Sequence, residues 1–110
     1  MEKIQTENAP KAVGPYSQAI KHNGLVYTAG QIPINPDTGK LVEREIIEQT
    51  IQVLKNLKAV LSAAGSSMEN AIKVTVFLKN LDDYAKMNEI YSQYFTNKPA
   101  RATVQVAKLP

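Results

Sequence analysis

The side chain that most clearly suggests chemistry in this sequence is Arg101, one of only two arginines among its 110 residues. A guanidinium group is planar, and its parallel N–H donors match the two oxygens of a carboxylate. Arg101 opens an alternating run after Pro99, so we expect it at the start of a strand, where the backbone is rigid. We interpret Arg101 as the anchor of a small carboxylate ligand. A solvated surface ion pair is the alternative that the residue alone leaves open.

A second candidate is Asn88, which interrupts a predicted apolar helix stripe. It lies four residues after Tyr84 and three before Tyr91. A buried amide must find hydrogen-bond partners or cost a few kcal/mol. Asn88 is therefore predicted either to face a ligand or to bind the backbone of its own subunit.

Thr103 and Gly30 are further candidates for ligand contact. Thr103 lies two residues after Arg101, and its hydroxyl can form a hydrogen bond with a ligand. Gly30 has no Cβ, so a ligand can approach its backbone closely. An ordinary turn at the end of a strand explains Gly30 equally well.

Other catalytic chemistries find little support. The absence of cysteine excludes disulfides, thiol nucleophiles and cysteine-based metal sites. The single histidine, His22, falls in a predicted turn, and we interpret it as a solvated loop residue. Glu43, Glu45 and Glu48 are typical of a helix start with a solvated face. We expect no metal site and no cofactor.

The net charge of +3 raises the question of nucleic-acid binding. The lysines are scattered from Lys3 to Lys108 without a cluster, which argues against that role. The first ten residues lack the apolar region of a signal peptide, and no segment approaches the roughly 20 apolar residues of a membrane helix. We expect a cytoplasmic protein with no membrane association.

The elements predicted to position these residues follow the order β-β-α-β-α-β. Strands over residues 16–21 and 25–29 flank an Asn23-Gly24 hairpin turn. A helix from about Glu43 ends at Gly65, and a second helix is capped by Asn80 and ends before Pro99. The remaining strands are predicted over residues 71–79 and 101–107. We expect a single two-layer α+β domain over residues 1–110, with two helices on one face of a mixed sheet.

The strand faces are predicted from alternation. Ile72, Val74, Val76 and Leu78 should face a hydrophobic layer, as should Ala102, Val104 and Val106. The other face is then expected to carry a mixed set of side chains: Arg101, Thr103, Gln105, Lys73, Thr75 and Phe77. Such a face is compatible with solvent or with a partner subunit.

Several sequence segments occur together in the order expected of one known family. They are Gly14-Pro15-Tyr16-Ser17-Gln18-Ala19, Thr28-Ala29-Gly30-Gln31-Ile32-Pro33, Val74-Thr75-Val76-Phe77-Leu78, Met87-Asn88-Glu89-Ile90-Tyr91, and the segment from Pro99-Ala100-Arg101 to Pro110. Over its whole length the chain resembles the Rid/YjgF family. The resemblance implies a chorismate-mutase-like fold and a homotrimer with ligand clefts between subunits.

The resemblance also implies an activity, the hydrolysis of enamine and imine intermediates such as 2-aminoacrylate, 2-iminopropanoate and 2-iminobutanoate to 2-keto acids and ammonia. It assigns Arg101 to the substrate carboxylate and Tyr16 to the pocket wall, and it places Gly30 and Asn88 near the cleft. For Tyr16, packing on its own sheet is the alternative. Thr103 stands where many relatives carry a cysteine, so no thiol step is expected.

Chains of this family usually continue past Pro110 through one more strand, whose glutamate is proposed to hold the hydrolytic water. No catalytic residue is therefore assigned here, and we expect that the given sequence omits this tail. A protein that truly ended at Pro110 is expected to bind keto acids yet hydrolyse imines slowly. A metabolite-sensing or regulatory binding module of the same family is the main alternative function. A ribonuclease or translation inhibitor is the weakest, because the lysines are dispersed.

Overall fold

The computed structural model describes residues 1–43 and 45–110. In chain order the described elements are β1 (Glu2–Ile4), β2 (Ala19–His22), β3 (Leu25–Thr28), β4 (Ile34–Asn35), β5 (Lys40–Leu41), α1 (Ile46–Ala63), a 3-10 turn (Met68–Asn70), β6 (Lys73–Leu78), a second 3-10 turn (Leu81–Asp83), α2 (Tyr84–Tyr94) and β7 (Ala100–Gln105). This α+β arrangement with two helices confirms the predicted fold class. Among the described residues, neither helix combines the length and the apolar composition that crossing a bilayer requires.

The predicted hairpin joins β2 to β3. Asn23 and Gly24 adopt φ values of 51° and 78°, as a tight hairpin turn requires, and His22 pairs with Leu25 on either side of them. β2 begins at Ala19, so the prediction of a strand from residue 16 is wrong for residues 16–18, which belong to the preceding loop. β1, which the sequence did not reveal, pairs antiparallel with β2.

A short second hairpin, formed by β4 and β5, lies between β3 and α1, where no strand was predicted. Asn56 of α1 binds this hairpin to the helix, and its side chain is 1% exposed. The Asn56 amide nitrogen donates to the carbonyl oxygens of Ile32 at 3.3 Å and Ile34 at 2.9 Å. Gln52 donates to the Asn56 amide oxygen at 2.8 Å. This buried amide therefore fixes the chain that follows Gly30 against the helix.

The first helix begins at Ile46, three residues later than predicted, and ends where Gly65 was expected to end it. Gly65 has a φ of 77°, and its N–H donates to the Ser62 carbonyl at 3.0 Å. The N–H of Ser66 donates to the Leu61 carbonyl at 2.9 Å. These two bonds form a Schellman motif, for which glycine is the favoured residue.

β7 runs parallel to β6 in a register that pairs Val74 with Arg101, Val76 with Thr103 and Leu78 with Gln105. Paired residues of parallel strands point to the same face of the sheet. Leu78 lies in the core under the helices, and Val74 and Val76 pack against it. The prediction that placed Arg101, Thr103 and Gln105 on the open polar face is therefore wrong, because these side chains point toward the helices.

Apolar side chains of β3, β6 and β7 point away from the helices and are exposed in the single chain. Phe77 pairs with Val104 on β6 and β7, and the two side chains are 56% and 42% exposed. Tyr27 of β3 is 59% exposed and points away from the side on which Val26 packs. Lys73 and Thr75 share this face, as predicted. We call Tyr27, Phe77 and Val104 the open-face cluster.

Two core clusters lie on either side of α1. One contains Leu54 together with residues of β6 and α2, and the other contains Val60 and Ala64 together with Ala19 of β2. The strands pair in both directions, as predicted for a mixed sheet: β2 and β3 are antiparallel, and β6 and β7 are parallel. Within the described ranges the strands form three hydrogen-bonded groups: β1–β2–β3, β4–β5 and β6–β7. One helical layer thus covers one face of the sheets.

Candidate functional site

The start of α2 is set by Asn80, as predicted. Its side-chain oxygen accepts the N–H of Asp82 at 2.9 Å and caps the 3-10 turn that leads into the helix. The Gln105 side chain accepts the Leu81 N–H at 2.9 Å, which ties the end of β7 to the same turn. These two contacts fix α2 against β7, the strand that carries Arg101.

The guanidinium of Arg101 is held by two side chains of α2. Its Nη1 donates to Asn88 Oδ1 at 2.6 Å, and its Nη2 donates to Tyr84 Oη at 2.7 Å. Asn88 and Tyr84 are four residues apart, so they lie on the same face of the helix. Both partners are neutral, and neither offsets the positive charge of the guanidinium.

Two aromatic rings complete the surroundings of this cation. The Arg101 Cζ atom lies 4.6 Å from the centroid of the Tyr91 ring and 5.4 Å from that of Tyr84. Cations are attracted to ring faces at such distances. Burial raises the pKa of the Tyr91 hydroxyl, against the opposing effect of the Arg101 charge. Tyr91 is therefore protonated at neutral pH and can donate a hydrogen bond.

The predicted site residue Asn88 is thus joined directly to Arg101. Because a guanidinium only donates, the amide oxygen must face it, and the amide NH2 stays available for another acceptor. This contact joins two side chains, whereas the alternative was that Asn88 binds the backbone of its own subunit. We call Arg101, Asn88, Tyr84 and Tyr91 the guanidinium rack.

Two buried hydroxyl oxygens on this side of β7 make no hydrogen bond of good geometry to the described part of the chain. They are Tyr91 Oη and Thr103 Oγ1. Buried polar groups usually bind something, and an unsatisfied one costs about 1–3 kcal/mol. Each oxygen is therefore suited to a water molecule or to a polar atom of a ligand. Thr103 points toward the helices, on the same side as Arg101.

Tyr16 lies in the loop before β2 and not in a strand. Its ring folds over Gly14, its hydroxyl accepts the Val13 N–H at 3.3 Å, and 54% of the side chain is exposed. Packing on its own sheet is therefore not its role. The nearby Gln18 is buried and donates to the Pro10 carbonyl at 2.8 Å, while it accepts the Thr6 N–H at 2.7 Å. Gln18 thus fastens the segment that presents Tyr16.

Gly30 follows β3, and a Cβ at this position would meet no atom within 4 Å. The hydrogen bonds and ring contacts of the Arg101 side chain, within the described residues, all go to α2. A single chain therefore brings Arg101 together with Asn88, whereas Tyr16 and Gly30 stand on other elements. The same ranges contain no group of three or more histidine, aspartate or glutamate side chains placed to hold a metal ion.

Comparison with known proteins relates this arrangement to a family. A family model described as endoribonuclease L-PSP matches residues 6–110. A RutC family protein of Pyrococcus horikoshii is 58% identical over 110 residues, which make up 99% of this chain and 87% of the relative. The chloroplastic Reactive Intermediate Deaminase A of Arabidopsis thaliana is 48% identical, over 99% of this chain and 59% of the relative.

The fold is also found among solved structures. The crystal structure of E. coli TdcF with bound serine matches with a TM-score of 0.95 and 42% identity, covering 100% of this chain and 89% of the other. These relatives match the sequence and the fold over at least 99% of this chain. The protein belongs to the endoribonuclease L-PSP family, which is the Rid/YjgF family that its motifs resemble.

Proposed function

We propose that this protein hydrolyses short 2-imino acids, such as 2-iminopropanoate and 2-iminobutanoate, to 2-keto acids. Water adds to the carbon of the protonated imine, and the resulting carbinolamine releases ammonia as its C–N bond breaks. One iminium ion and one water give one ketone and one ammonium ion. We further propose that the reaction takes place in the cytoplasm and requires neither a metal nor a cofactor.

The observation that carries this proposal is the guanidinium rack. Arg101 is partly buried beside two rings and, within residues 1–43 and 45–110, is bound only by neutral side chains, so its charge is uncompensated there. Such a site attracts an anion, and the planar fork favours a carboxylate. Every proposed substrate carries a carboxylate next to the reacting carbon. A relative named Reactive Intermediate Deaminase A supports the reaction class.

The remaining predicted site residues take roles around this anchor. We propose that Asn88 holds Arg101 and offers its amide NH2 to the substrate, and that Thr103 offers its hydroxyl. Tyr16 and Gly30 then form the opposite wall of the cleft from a neighbouring copy. Their open surroundings within one chain support this arrangement. The open-face cluster would pack between copies in a homotrimer.

Replacement of Thr103 by valine tests its part in the site. Valine has nearly the same shape, so removal of an unpartnered buried hydroxyl should leave the unfolding free energy unchanged or raise it by about 1 kcal/mol. The Kd for 2-oxobutanoate should rise about 3- to 10-fold because one hydrogen bond to the ligand is lost. Urea unfolding and calorimetric titration give the two values. An unchanged Kd would remove Thr103 from the binding site.

The activity itself is tested by competition with a chemical trap. A serine or threonine dehydratase releases the imine in the presence of semicarbazide, and formation of the semicarbazone is followed by absorbance. Added protein should slow semicarbazone formation in proportion to its concentration, because hydrolysis removes the imine first. The Arg101→Ala protein serves as the control. An unchanged trapping rate at stoichiometric protein would contradict the proposed deaminase.

A metabolite-binding module without turnover is the second candidate. It is favoured by the solved relative with bound serine, whose described ligand is an amino acid and not an imine. This function requires the carboxylate anchor but no positioned water. Binding of serine or 2-oxobutanoate that depends on Arg101, together with an unchanged trapping rate, would identify the binding module.

A further inference from the structure

The hydroxyl of Tyr84 is the exposed member of the guanidinium rack. Tyr91 is buried and Asn88 is half-buried, whereas 41% of Tyr84 is accessible to solvent. A ligand that reaches Arg101 from solvent on this side therefore passes the Tyr84 hydroxyl. From its spacing alone, Tyr84 is predicted to belong to the apolar stripe that Asn88 interrupts, with no role in binding.

The hydrogen-bonding capacity of this hydroxyl is only partly used by Arg101. The Tyr84 oxygen accepts from Nη2 at 2.7 Å, and the phenol still has one O–H proton to donate. A guanidinium has five N–H donors, of which Asn88 and Tyr84 engage one each. Arg101 and Tyr84 therefore present unused donors side by side, and both are available to one acceptor.

We propose that Tyr84 is a ligand-binding residue, whose hydroxyl donates to the substrate carboxylate while its oxygen continues to accept from Arg101. This inference rests on the proposed function, since it concerns the same carboxylate. A chain of hydrogen bonds from cation to hydroxyl to anion polarises each member and strengthens the whole. Tyr84 thereby contributes to the selection of an anionic ligand over a neutral one of similar shape.

The first test is the Tyr84→Phe variant, measured by calorimetric titration with 2-oxobutanoate. Its Kd should rise about 10-fold, the lower end of the range for one hydrogen bond to a charged group, because Tyr84 is partly exposed. The Kd for the neutral analogue 2-oxobutanamide should change less. Tyr94→Phe is the matched control, because Tyr94 also lies on α2 but lines a separate cleft with Lys58 and Glu69. That variant should bind as the parent does.

A second variant separates contact with the ligand from mere support of Arg101. Fluorination of Tyr84, by incorporation of 3-fluorotyrosine, makes the hydroxyl a better donor and a poorer acceptor. At mildly acidic pH, this protein should bind 2-oxobutanoate at least as tightly as the parent does. Weaker binding would mean that Tyr84 acts only by accepting from Arg101, and the inference would fail.

The outcomes distinguish this inference from the proposed function. If the parent binds 2-oxobutanoate and Arg101→Ala does not, while Tyr84→Phe binds as the parent does, only the role of Tyr84 is wrong. Tighter binding by Tyr84→Phe would show that the hydroxyl competes with the ligand, which also overturns it. If the parent fails to bind 2-oxobutanoate, the carboxylate site and the role of Tyr84 fall together.

Discussion

Replacing Arg101 with alanine should abolish detectable imine hydrolysis and weaken 2-oxobutanoate binding by at least about 10- to 100-fold. The reason is the loss of charge-assisted hydrogen bonds to the carboxylate, each of which is worth roughly 1.5–3 kcal/mol. Arg101→Lys should also be severely impaired. A single ammonium group reproduces neither the planar fork nor the simultaneous contacts with Asn88 and Tyr84. Calorimetric titration measures the weaker binding, and the trapping assay measures the loss of imine hydrolysis.

The matched control for charge is Lys86→Ala. Lys86 lies on α2 between Tyr84 and Asn88, is exposed, and carries the same charge. Its loss should leave the Kd within about twofold, because exposed charges are screened by salt. Thermal unfolding should show that Arg101→Ala remains folded. If Arg101→Ala binds 2-oxobutanoate as the parent does, Arg101 is not the anchor.

Placing a glutamate at Phe77 should convert the proposed homotrimer into monomers with about one third of the parent's mass. Phe77 is 56% exposed in a single chain, so the substitution leaves the chain's own core intact. In the assembly the same position would bury a carboxylate without a partner, which is strongly unfavourable. Light scattering coupled to gel filtration measures the mass. Binding of 2-oxobutanoate should fall with it, because Tyr16 and Gly30 would no longer complete the cleft.

Ile72→Glu is the control for that substitution. Ile72 precedes β6, lies outside the open-face cluster and is 70% exposed. The Ile72→Glu substitution adds the same negative charge five residues before Phe77, and the protein should remain a trimer. A parent protein that is monomeric at micromolar concentration would contradict the trimer. So would a Phe77→Glu protein that keeps the parent's mass.

Local signals predicted the elements well, because their physical causes are local. Asn23-Gly24, Gly65 and Asn80 each act within a few residues, and each forms the predicted hairpin turn, helix end or cap. The predicted orientation of β7 was wrong, because alternation separates the two faces of a strand but does not show which face meets the helices. Apolar Ala102 and Val104 suggested the core, yet the register with β6 turns Arg101 inward.

In the candidate site too, residues with a local sequence signal were predicted and residues placed by long-range contacts were not. Asn88 stood out as a polar residue on an apolar stripe, and it lies against Arg101. The apolar stripe predicted for this helix includes Tyr84 and Tyr91. Tyr91 does lie in the core, but both rings also lie beside Arg101, which the stripe alone does not predict. Their positions four residues before and three residues after Asn88 were the available signal, since all three share one helix face. Asn56 gave no signal, because its partners are backbone carbonyls 22 and 24 residues away.

The most direct test of the carboxylate anchor is a crystal structure with 2-oxobutanoate bound. Both carboxylate oxygens should lie about 2.7–3.0 Å from donors of the guanidinium rack, with at least one bond from Arg101. The Tyr16 ring of a neighbouring copy should cover the ligand. A ligand bound elsewhere, or a carboxylate that makes no contact with Arg101 while the Asn88 and Tyr84 bonds persist unchanged, would contradict the account.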